Sequence, residues 1–281
     1  MNKIISLISL IRLNKPIGIF LLLWPTLWAL WLSSNGVPDS RILIIFISGV
    51  VLTRSLGCAV NDFLDREIDI KVFRTKNRPL ALKKISTKET LLFILLLAIL
   101  SLLLVFQLNI YAIKIAFIAL IFIIIYPLTK RFLPIPQAFL GVTFGLSILM
   151  VFAAVQNQIP IQAWILFIAN TFWVLAYDSH YGVVDMKDDK KNKIMSAPLT
   201  FGKQTMKFIL CCYLITFLLL TTLGIWSDYG FLYFLALSIA FVVAFSVWKK
   251  CLSFEPKANF NAFMSNNYVG FFIFLGFLSQ L

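Results

Sequence analysis

Nine long apolar runs constrain the fold of this 281-residue chain more than any other feature of its sequence. Most of them approach the roughly 20 residues that an α-helix needs to cross the hydrocarbon core of a bilayer. Because 60% of the residues are hydrophobic and only 13% are charged, little sequence remains for a large domain outside the membrane. We therefore predict a single all-α, polytopic membrane domain over residues 1–281. The predicted spans cover about residues 17–33, 42–60, 90–107, 112–128, 137–155, 161–177, 207–224, 229–248 and 262–281.

The distribution of basic residues indicates membrane topology rather than nucleic-acid binding. Lysine and arginine number 25 against 12 aspartate and glutamate residues, a formal net charge of +13. When loops are assigned alternately to two sides, 23 of the 25 basic residues share one side, and only Arg41 and Lys114 lie on the other. Such an excess is typical of the cytoplasmic side. We predict a bacterial inner-membrane protein with a cytoplasmic N-terminus, an external C-terminus and no nucleic-acid partner.

The acidic residues, in contrast, form two clusters. Eight of the 12 lie in two windows, 62–69 and 178–189, and each window follows an apolar run. At about 100° per residue on a helix, the three aspartates of the first window and the preceding asparagine share an arc of about 100°, and Glu67 points away. These four are Asn61, Asp62, Asp65 and Asp69.

The second window has the same property. Three of its carboxylates share an arc of about 40°, with Asp188 to one side and His180 on the opposite face, which argues against a metal role for this histidine. These three are Asp178, Asp185 and Asp189. Each window therefore presents one acidic helix face at the same predicted end of the molecule.

Two acidic faces near a bilayer predict a site for Mg²⁺ and a diphosphate. Like charges on one helix face destabilise it unless a cation compensates. Mg²⁺ commonly binds one or two carboxylates together with substrate phosphates. Downstream of the first window, Arg74 and Arg78 are favoured as phosphate ligands because arginine offers a fork of donors. The alternative is that the acids are solvated loop charges paired with nearby lysines.

Arg54 is the basic residue that topology explains least. It lies two helical turns before Asn61 on the same predicted helix face, within about 20° of it. A charged side chain inside a membrane needs a counter-charge. An anionic group of a substrate would supply it, and so would a carboxylate of the helix itself.

The two acidic windows also suggest an internal repeat. Each is followed by basic residues and then by Pro-Leu, at Pro79 and Pro198, and four predicted helices separate the two. We predict a four-helix repeat within the single domain, with acidic motifs at 61–69 and 178–189.

Four segments resemble the UbiA superfamily of intramembrane prenyltransferases. They are NDFLDREID from Asn61 with the RTKNRPL that follows, YDSHYGVVDMKDD from Tyr177, RLNKPIGIFLLLWPTLWAL from Arg12, and YPLTKRFLPIPQAFLG from Tyr126. They are most similar to the members that prenylate 4-hydroxybenzoate. The resemblance implies nine transmembrane helices around a central cavity with cytoplasmic Asp-rich loops.

The resemblance also implies roles for individual residues. Mg²⁺ would be held by Asp65, Asp69, Asp185 and Asp189, with Asp62 and Asp178 in support. The diphosphate would be bound by Arg74, Arg78, Lys130 and Tyr126, although whether Lys130 or Arg131 faces inward stays open. The aromatic acceptor would lie against Arg54 and Asn61, which with Asp65 are the candidate catalytic residues. Arg54 suits a carboxylate of the acceptor, and Asp65 is placed to orient its phenol.

The implied reaction is the Mg²⁺-dependent transfer of a polyprenyl group from polyprenyl diphosphate to 4-hydroxybenzoate, at the ring carbon ortho to the hydroxyl, in ubiquinone biosynthesis. Its partners would be those two substrates and membrane lipid. A related prenyltransferase with another acceptor, such as a dihydroxynaphthoate, haem or a glyceryl phosphate, is the first alternative. A CDP-alcohol phosphotransferase would need a Gly-rich spacing between aspartates that this chain lacks. An ion-coupled transporter would place its acids near the middle of the membrane.

Overall fold

The computed structural model describes residues 3–70, 72 and 75–280, and it shows helices and no β-strand over these residues. In chain order the helices are α1 (Lys3–Leu10), α2 (Ile17–Ser34), α3 (Ser40–Asp69), α4 (Thr87–Val105), α5 (Ile110–Thr129), α6 (Pro136–Gln156), α7 (Ile161–Asn192), α8 (Ala197–Phe201), α9 (Thr205–Trp226), α10 (Phe231–Lys250) and α11 (Pro256–Leu278). The predicted all-α membrane architecture is confirmed.

The structure supports eight of the nine predicted membrane spans by length and hydropathy within the described residues. Each of the nine predicted spans falls on a long helix, but within the described residues eight helices are long and apolar enough to cross a membrane. The helix outside that set is α11, which matches the predicted span 262–281. Its sequence contains four asparagines, whose side chains lower the mean hydropathy of an otherwise apolar segment.

Two predicted helix ends were wrong in the same way. The second and sixth runs were predicted to end at residues 60 and 177, whereas α3 continues to Asp69 and α7 to Asn192. An apolar run ends where polar residues begin. Its length matches the thickness of the hydrocarbon core of the bilayer, and a helix can continue beyond that core. The acidic windows are therefore helical extensions of two spans rather than loops. The short helices α1 and α8 were not predicted.

Local sequence signals explain where several helices begin and end. At the start of α4, the Ser86 hydroxyl accepts the Glu89 N–H at 3.2 Å and the Glu89 carboxylate accepts the Ser86 N–H at 2.9 Å, a capping box. Asn109 caps α5 through Ala112. At the other ends, Asn35 after α2 and Asn157 after α6 adopt the left-handed conformation that terminates a helix.

The core of the bundle lies around α7, which packs against α6, α9 and α11. Trp28 of α2 and Trp173 of α7 are fully buried there, with ring centroids 5.1 Å apart. Gly141 of α6 allows close approach to α7, since a Cβ at this position would lie 2.8 Å from the Thr171 carbonyl oxygen. In contrast, α4 and α5 bury few residues. Space therefore remains beside α3, between the core and these two outer helices.

The acidic end of the bundle is tied together by contacts between its connections. The Ala197 N–H donates to the Gln137 side chain at 3.0 Å, and the Met195 N–H donates to the Lys130 carbonyl at 2.8 Å. These bonds join the segment after α7 to the α5–α6 connection. They hold the ends of α5, α6 and α7 around a common opening.

Candidate active site

A cavity of about 1250 Å³ opens at the acidic end of the bundle. Its walls come from α2 to α7 and from α11, and they are mostly apolar away from the acidic end. The described residues that were predicted for the site all line this one cavity: Arg54, Asn61, Asp62, Asp65, Asp69, Arg78, Tyr126, Lys130, Asp178, Asp185 and Asp189. Arg74, predicted to bind diphosphate, lies outside the described residues.

The carboxylates at the end of α3 are buried and paired with basic side chains. Asp62 Oδ1 lies 2.6 Å from Arg12 Nη2 and 2.9 Å from Arg78 Nη1. Arg78 Nη1 also lies 2.7 Å from Asp69 Oδ2, so a single guanidinium joins two carboxylates. Glu67 of the same helix is exposed, as the helical phase predicts.

Asp69 lies just beyond the membrane-spanning part of α3, Ser40–Glu67. Burial raises the pKa of its carboxyl above the ordinary value, and the nearby Asp62 carboxylate acts in the same direction. The guanidinium of Arg78 opposes both effects. The cavity therefore concentrates negative charge at a place where a further cation is favoured.

Asp65 is the carboxylate with an unused oxygen. Its side chain is 1% exposed, and its Oδ2 accepts a hydrogen bond from Lys130 Nζ. Its Oδ1 is buried and has no hydrogen-bond partner among the described residues. A buried acceptor of this kind costs free energy unless a ligand completes it. The Oδ1 atom therefore marks a position suited to a cation or to the hydroxyl of a bound molecule.

The structure shows which of Lys130 and Arg131, at the end of α5, faces the cavity. Lys130 turns into the cavity and pairs with Asp65. Arg131 is exposed, and its guanidinium reaches only the Leu64 carbonyl, at 3.5 Å. The two residues that follow α5 thus present one cation to the cavity and one to the outside.

The second acidic window lies across the cavity on α7. Asp178, Asp185 and Asp189 line the cavity, whereas Asp188 does not. His180 faces away from it and is buried against α11, with Nδ1 2.8 Å from Asn259 Oδ1. One face of α7 therefore lines the cavity, and the opposite face packs against other helices of the bundle.

Arg54 lies further along α3, among apolar walls. Its Cζ lies 5.8 Å from the centre of the Phe144 ring, a cation–π distance. Its Nε is buried without a hydrogen-bond partner. Across residues 3–70, 72 and 75–280, no carboxylate forms an ion pair with Arg54, so the alternative of a helix carboxylate as its counter-charge is not seen there.

Arg12 was not predicted as a site residue, because it was counted only as a topological charge. It lies between α1 and α2 in the left-handed conformation, with φ of 57°. The turn brings its side chain over Asp62. Its place in the segment RLNKPIG, one of those that carry the family resemblance, was the available signal.

The donor set of the cavity fits Mg²⁺ when a phosphate ligand is also present. Hard carboxylate oxygens from two helices line the same cavity, and Asp65 Oδ1 has no partner among the described residues. Among the described side chains, no group of three or more acidic, histidine or cysteine residues is close enough to hold a metal alone. Mg²⁺ commonly takes part of its shell from substrate phosphates and water, so one or two protein carboxylates are enough to bind it.

Comparison with known proteins gives the class of the chain. The model of the UbiA prenyltransferase family matches residues 22–275. The chain belongs to the UbiA prenyltransferase family, and it is therefore an integral membrane enzyme that transfers prenyl groups.

Individual relatives cover nearly the whole chain. A protein of Methylobacillus flagellatus named 4-hydroxybenzoate octaprenyltransferase is 44% identical over 99% of this chain and 94% of its own length. A protein of the same name from Nitrosomonas eutropha is 46% identical over 96% of this chain and 94% of its own length.

Solved structures show the same fold. The apo structure of a UbiA homolog from Aeropyrum pernix K1 has a TM-score of 0.82 at 22% identity, covering 93% of this chain and 97% of that one. A UbiA homolog from Archaeoglobus fulgidus, bound to GPP and Mg²⁺, has a TM-score of 0.71 at 16% identity, covering 98% and 99% of the two chains.

Proposed function

We propose that this enzyme transfers a polyprenyl group from polyprenyl diphosphate to 4-hydroxybenzoate, at the ring carbon ortho to the hydroxyl, as a step of ubiquinone biosynthesis. The observation that carries the proposal is the cavity itself, whose lining includes carboxylates of both α3 and α7, apolar walls, and Arg54, which has no ion-pair partner among the described residues. The names of relatives more than 40% identical over nearly the full chain support the choice of substrates.

In the proposed reaction, the C–O bond of the allylic diphosphate breaks and its electron pair leaves with the diphosphate. The ring carbon of the acceptor forms the new C–C bond, and the proton on that carbon is then released. The products are the 3-polyprenyl acid, diphosphate and a proton. Apolar cavity walls would keep water from the allylic cation.

The acidic end of the cavity would bind the leaving group. Mg²⁺ would be held by Asp65, Asp69, Asp185 and Asp189, with Asp62 and Asp178 in support, and when bound it would neutralise charge developing on the diphosphate. Arg78 and Lys130 already reach these carboxylates, so both would lie close to the phosphate oxygens. Tyr126 and Arg74 are proposed to assist them. These assignments are supported by the geometry, because every described residue among the proposed Mg²⁺ and diphosphate ligands lines the same cavity.

The acceptor would occupy the deeper part of the polar wall. Arg54 offers a forked donor to the acceptor carboxylate and has no competing ion pair among the described residues. Asn61 lies two turns along the same helix, between Arg54 and the carboxylates. Asp65 Oδ1 would accept the phenol hydroxyl, which increases the electron density of the ring at the ortho carbon.

We also propose that the acidic end faces the cytoplasm of a bacterial cell, with the N-terminus inside and the C-terminus outside. The support is the charge distribution, because the basic residues concentrate at this end. Alkaline phosphatase fused after residue 281 should be active if this orientation is correct. An inactive fusion, with an active one at the α3–α4 connection, would reverse it.

The decisive experiment is an acceptor panel with purified enzyme in lipid nanodiscs. Given Mg²⁺ and a long polyprenyl diphosphate, 4-hydroxybenzoate should yield the 3-prenylated acid and one diphosphate per product. A dihydroxynaphthoate, haem and a glyceryl phosphate serve as the competing acceptors. Prenylation of one of these, with 4-hydroxybenzoate left unmodified, would refute the proposed acceptor while leaving the enzyme class intact.

A further inference from the structure

The guanidinium of Arg54 lies directly against the backbone of α2. A Cβ built on Gly18 would lie 2.5 Å from Arg54 Nε, 2.6 Å from Nη2 and 2.9 Å from Cζ. These distances are shorter than real carbon contacts, so no larger residue fits at this position while Arg54 keeps its place. On another side, the Phe144 ring lies 5.8 Å from Cζ. Arg54 thus occupies a slot between two helices.

We propose that Gly18 is a positioning residue for acceptor recognition, because its missing side chain forms the slot that orients the Arg54 guanidinium toward the acceptor carboxylate. This inference rests on the proposed function, in which Arg54 binds that carboxylate. Among the described residues, Arg54 Nε is buried without a hydrogen-bond partner, so no hydrogen bond from this atom sets the orientation. The slot leaves the guanidinium fork available for a planar carboxylate.

Gly18 differs from the glycines that serve helix packing. At Gly141 an added Cβ would meet the Thr171 backbone oxygen at 2.8 Å, and at Gly145 it would meet the Phe167 ring at 2.6 Å. Those neighbours are backbone or a bulky ring, so a side chain there would disturb the bundle. At Gly18 the neighbour is the far end of a long, flexible side chain. Alanine at this position should therefore displace Arg54 and leave the fold intact.

Gly18→Ala should not weaken α2 itself. Within a helix, alanine is favoured over glycine by up to about 1 kcal/mol. The energetic consequence is expected in acceptor binding, because a displaced guanidinium no longer offers its fork of donors to the acceptor carboxylate. Stability and function should thus respond differently to this substitution.

The experiment compares Gly18→Ala with Gly49→Ala, a control on α3 where an added Cβ meets nothing within 4 Å. Gly18→Ala should raise the KM for 4-hydroxybenzoate by about tenfold or more. Its kcat at saturating acceptor and its KM for polyprenyl diphosphate should stay close to those of the wild type. Gly49→Ala should change none of these constants.

A neutral acceptor separates charge recognition from general damage. The wild type should prefer 4-hydroxybenzoate to its methyl ester, which lacks the carboxylate charge. Gly18→Ala should lose much of that preference, because the cation that reads the charge has moved. Equal losses for acid and ester would show a merely structural role and overturn the proposal.

A double-variant cycle tests whether Gly18 acts through Arg54. In an Arg54→Ala background, Gly18→Ala should produce no further change in kcat/KM for the acid. An undiminished effect there would overturn the inference. If Gly18→Ala does not fold, Phe144→Leu opens another wall of the same slot and should reduce the preference for the acid in the same sense.

These outcomes also separate this inference from the proposed function. If Arg54→Ala leaves the KM for 4-hydroxybenzoate unchanged, the proposed role of Arg54 fails, and the inference fails with it. If Arg54→Ala raises that KM while Gly18→Ala does not, only the positioning role of Gly18 is refuted.

Discussion

Helices α3 and α11 both carry polar side chains into the bundle, yet they use them differently. On α11, Asn266 Oδ1 accepts the Trp173 Nε1–H at 2.9 Å, and its Nδ2 lies 2.9 Å from the Tyr213 hydroxyl. These partners sit on helices and lie outside the cavity wall, in the fully buried core. Such a network fixes helix positions.

The acids of α3 have partners of another kind. Asp62 and Asp69 are paired with Arg12 and Arg78, which are long side chains on connections between helices. All of these groups line the cavity. The Asn266 amide of α11 is therefore satisfied by side chains of the helix core, whereas the carboxylates of α3 are paired with long basic side chains that a bound anion could attract. The comparison teaches that burial alone does not distinguish a structural polar group from a functional one.

The largest expected effect is a loss of activity when an aspartate of the cavity is replaced. Asp65→Ala and Asp185→Ala should each lower kcat/KM by about a hundredfold or more, because each removes a carboxylate proposed to hold Mg²⁺. The measurement is prenylated product formed per minute in nanodiscs. Glu67→Ala, on the exposed face of the same helix as Asp65, is the matched control. Full activity in either cavity variant would end the metal assignment.

A smaller effect is expected at the end of α5, where two adjacent cations point in different directions. Lys130→Ala should lower kcat/KM for polyprenyl diphosphate by about tenfold to a hundredfold, since it removes a charge-assisted contact at the diphosphate site. Arg131→Ala should remain near the wild type because Arg131 is exposed. Equal effects of the two substitutions would contradict the inward assignment of Lys130.

The structural side of the comparison is tested by Asn266→Ala. This substitution leaves the Trp173 and Tyr213 donors without their buried partner, so it should lower the free energy of unfolding by about 1–2 kcal/mol. The KM values for both substrates should change little. Unfolding in mixed micelles gives the stability, and the exposed Asn261 on the same helix provides an alanine control. A change confined to KM would instead place Asn266 in the site.

The smallest effect is expected for a surface ion pair that belongs neither to the amide network of α11 nor to the carboxylates of α3. Lys3 of α1 and Glu89 of α4 form an exposed ion pair at 2.6 Å. Water and salt screen such pairs, so Lys3→Ala should leave the melting temperature and activity unchanged at physiological salt. A clear fall in melting temperature would show that α1 depends on this surface contact.

Much of the site was predictable because helical phase is a local property. The spacing of Asp62, Asp65 and Asp69 was enough to place three carboxylates on one face and Glu67 on another, and the structure has that arrangement. The same reasoning separated Asp185 from His180. Phase does not give helix length, however, and both acidic segments extended further as helix than the apolar runs indicated.

Contacts between distant segments were beyond sequence reasoning. Charge and position did not separate Arg12 from the other basic residues, and only the turn before α2 shows that it reaches Asp62. The helical pattern of α2 did not single out Gly18, because its importance depends on a side chain from a different helix. The choice between Lys130 and Arg131 likewise required the packing of α5 against α3.

The membrane class, the helical architecture and the chemistry of the two acidic faces follow from the amino-acid sequence alone. Hydropathy and helical periodicity depend only on residues that are close together in the chain. Only the tertiary structure decided that both faces meet in one cavity, which cations pair with which carboxylates, and that α2 forms a slot for Arg54. The physical reason is that ion pairs and close contacts depend on distances of a few ångströms between segments far apart in the chain. Those distances exist only once the helices have packed.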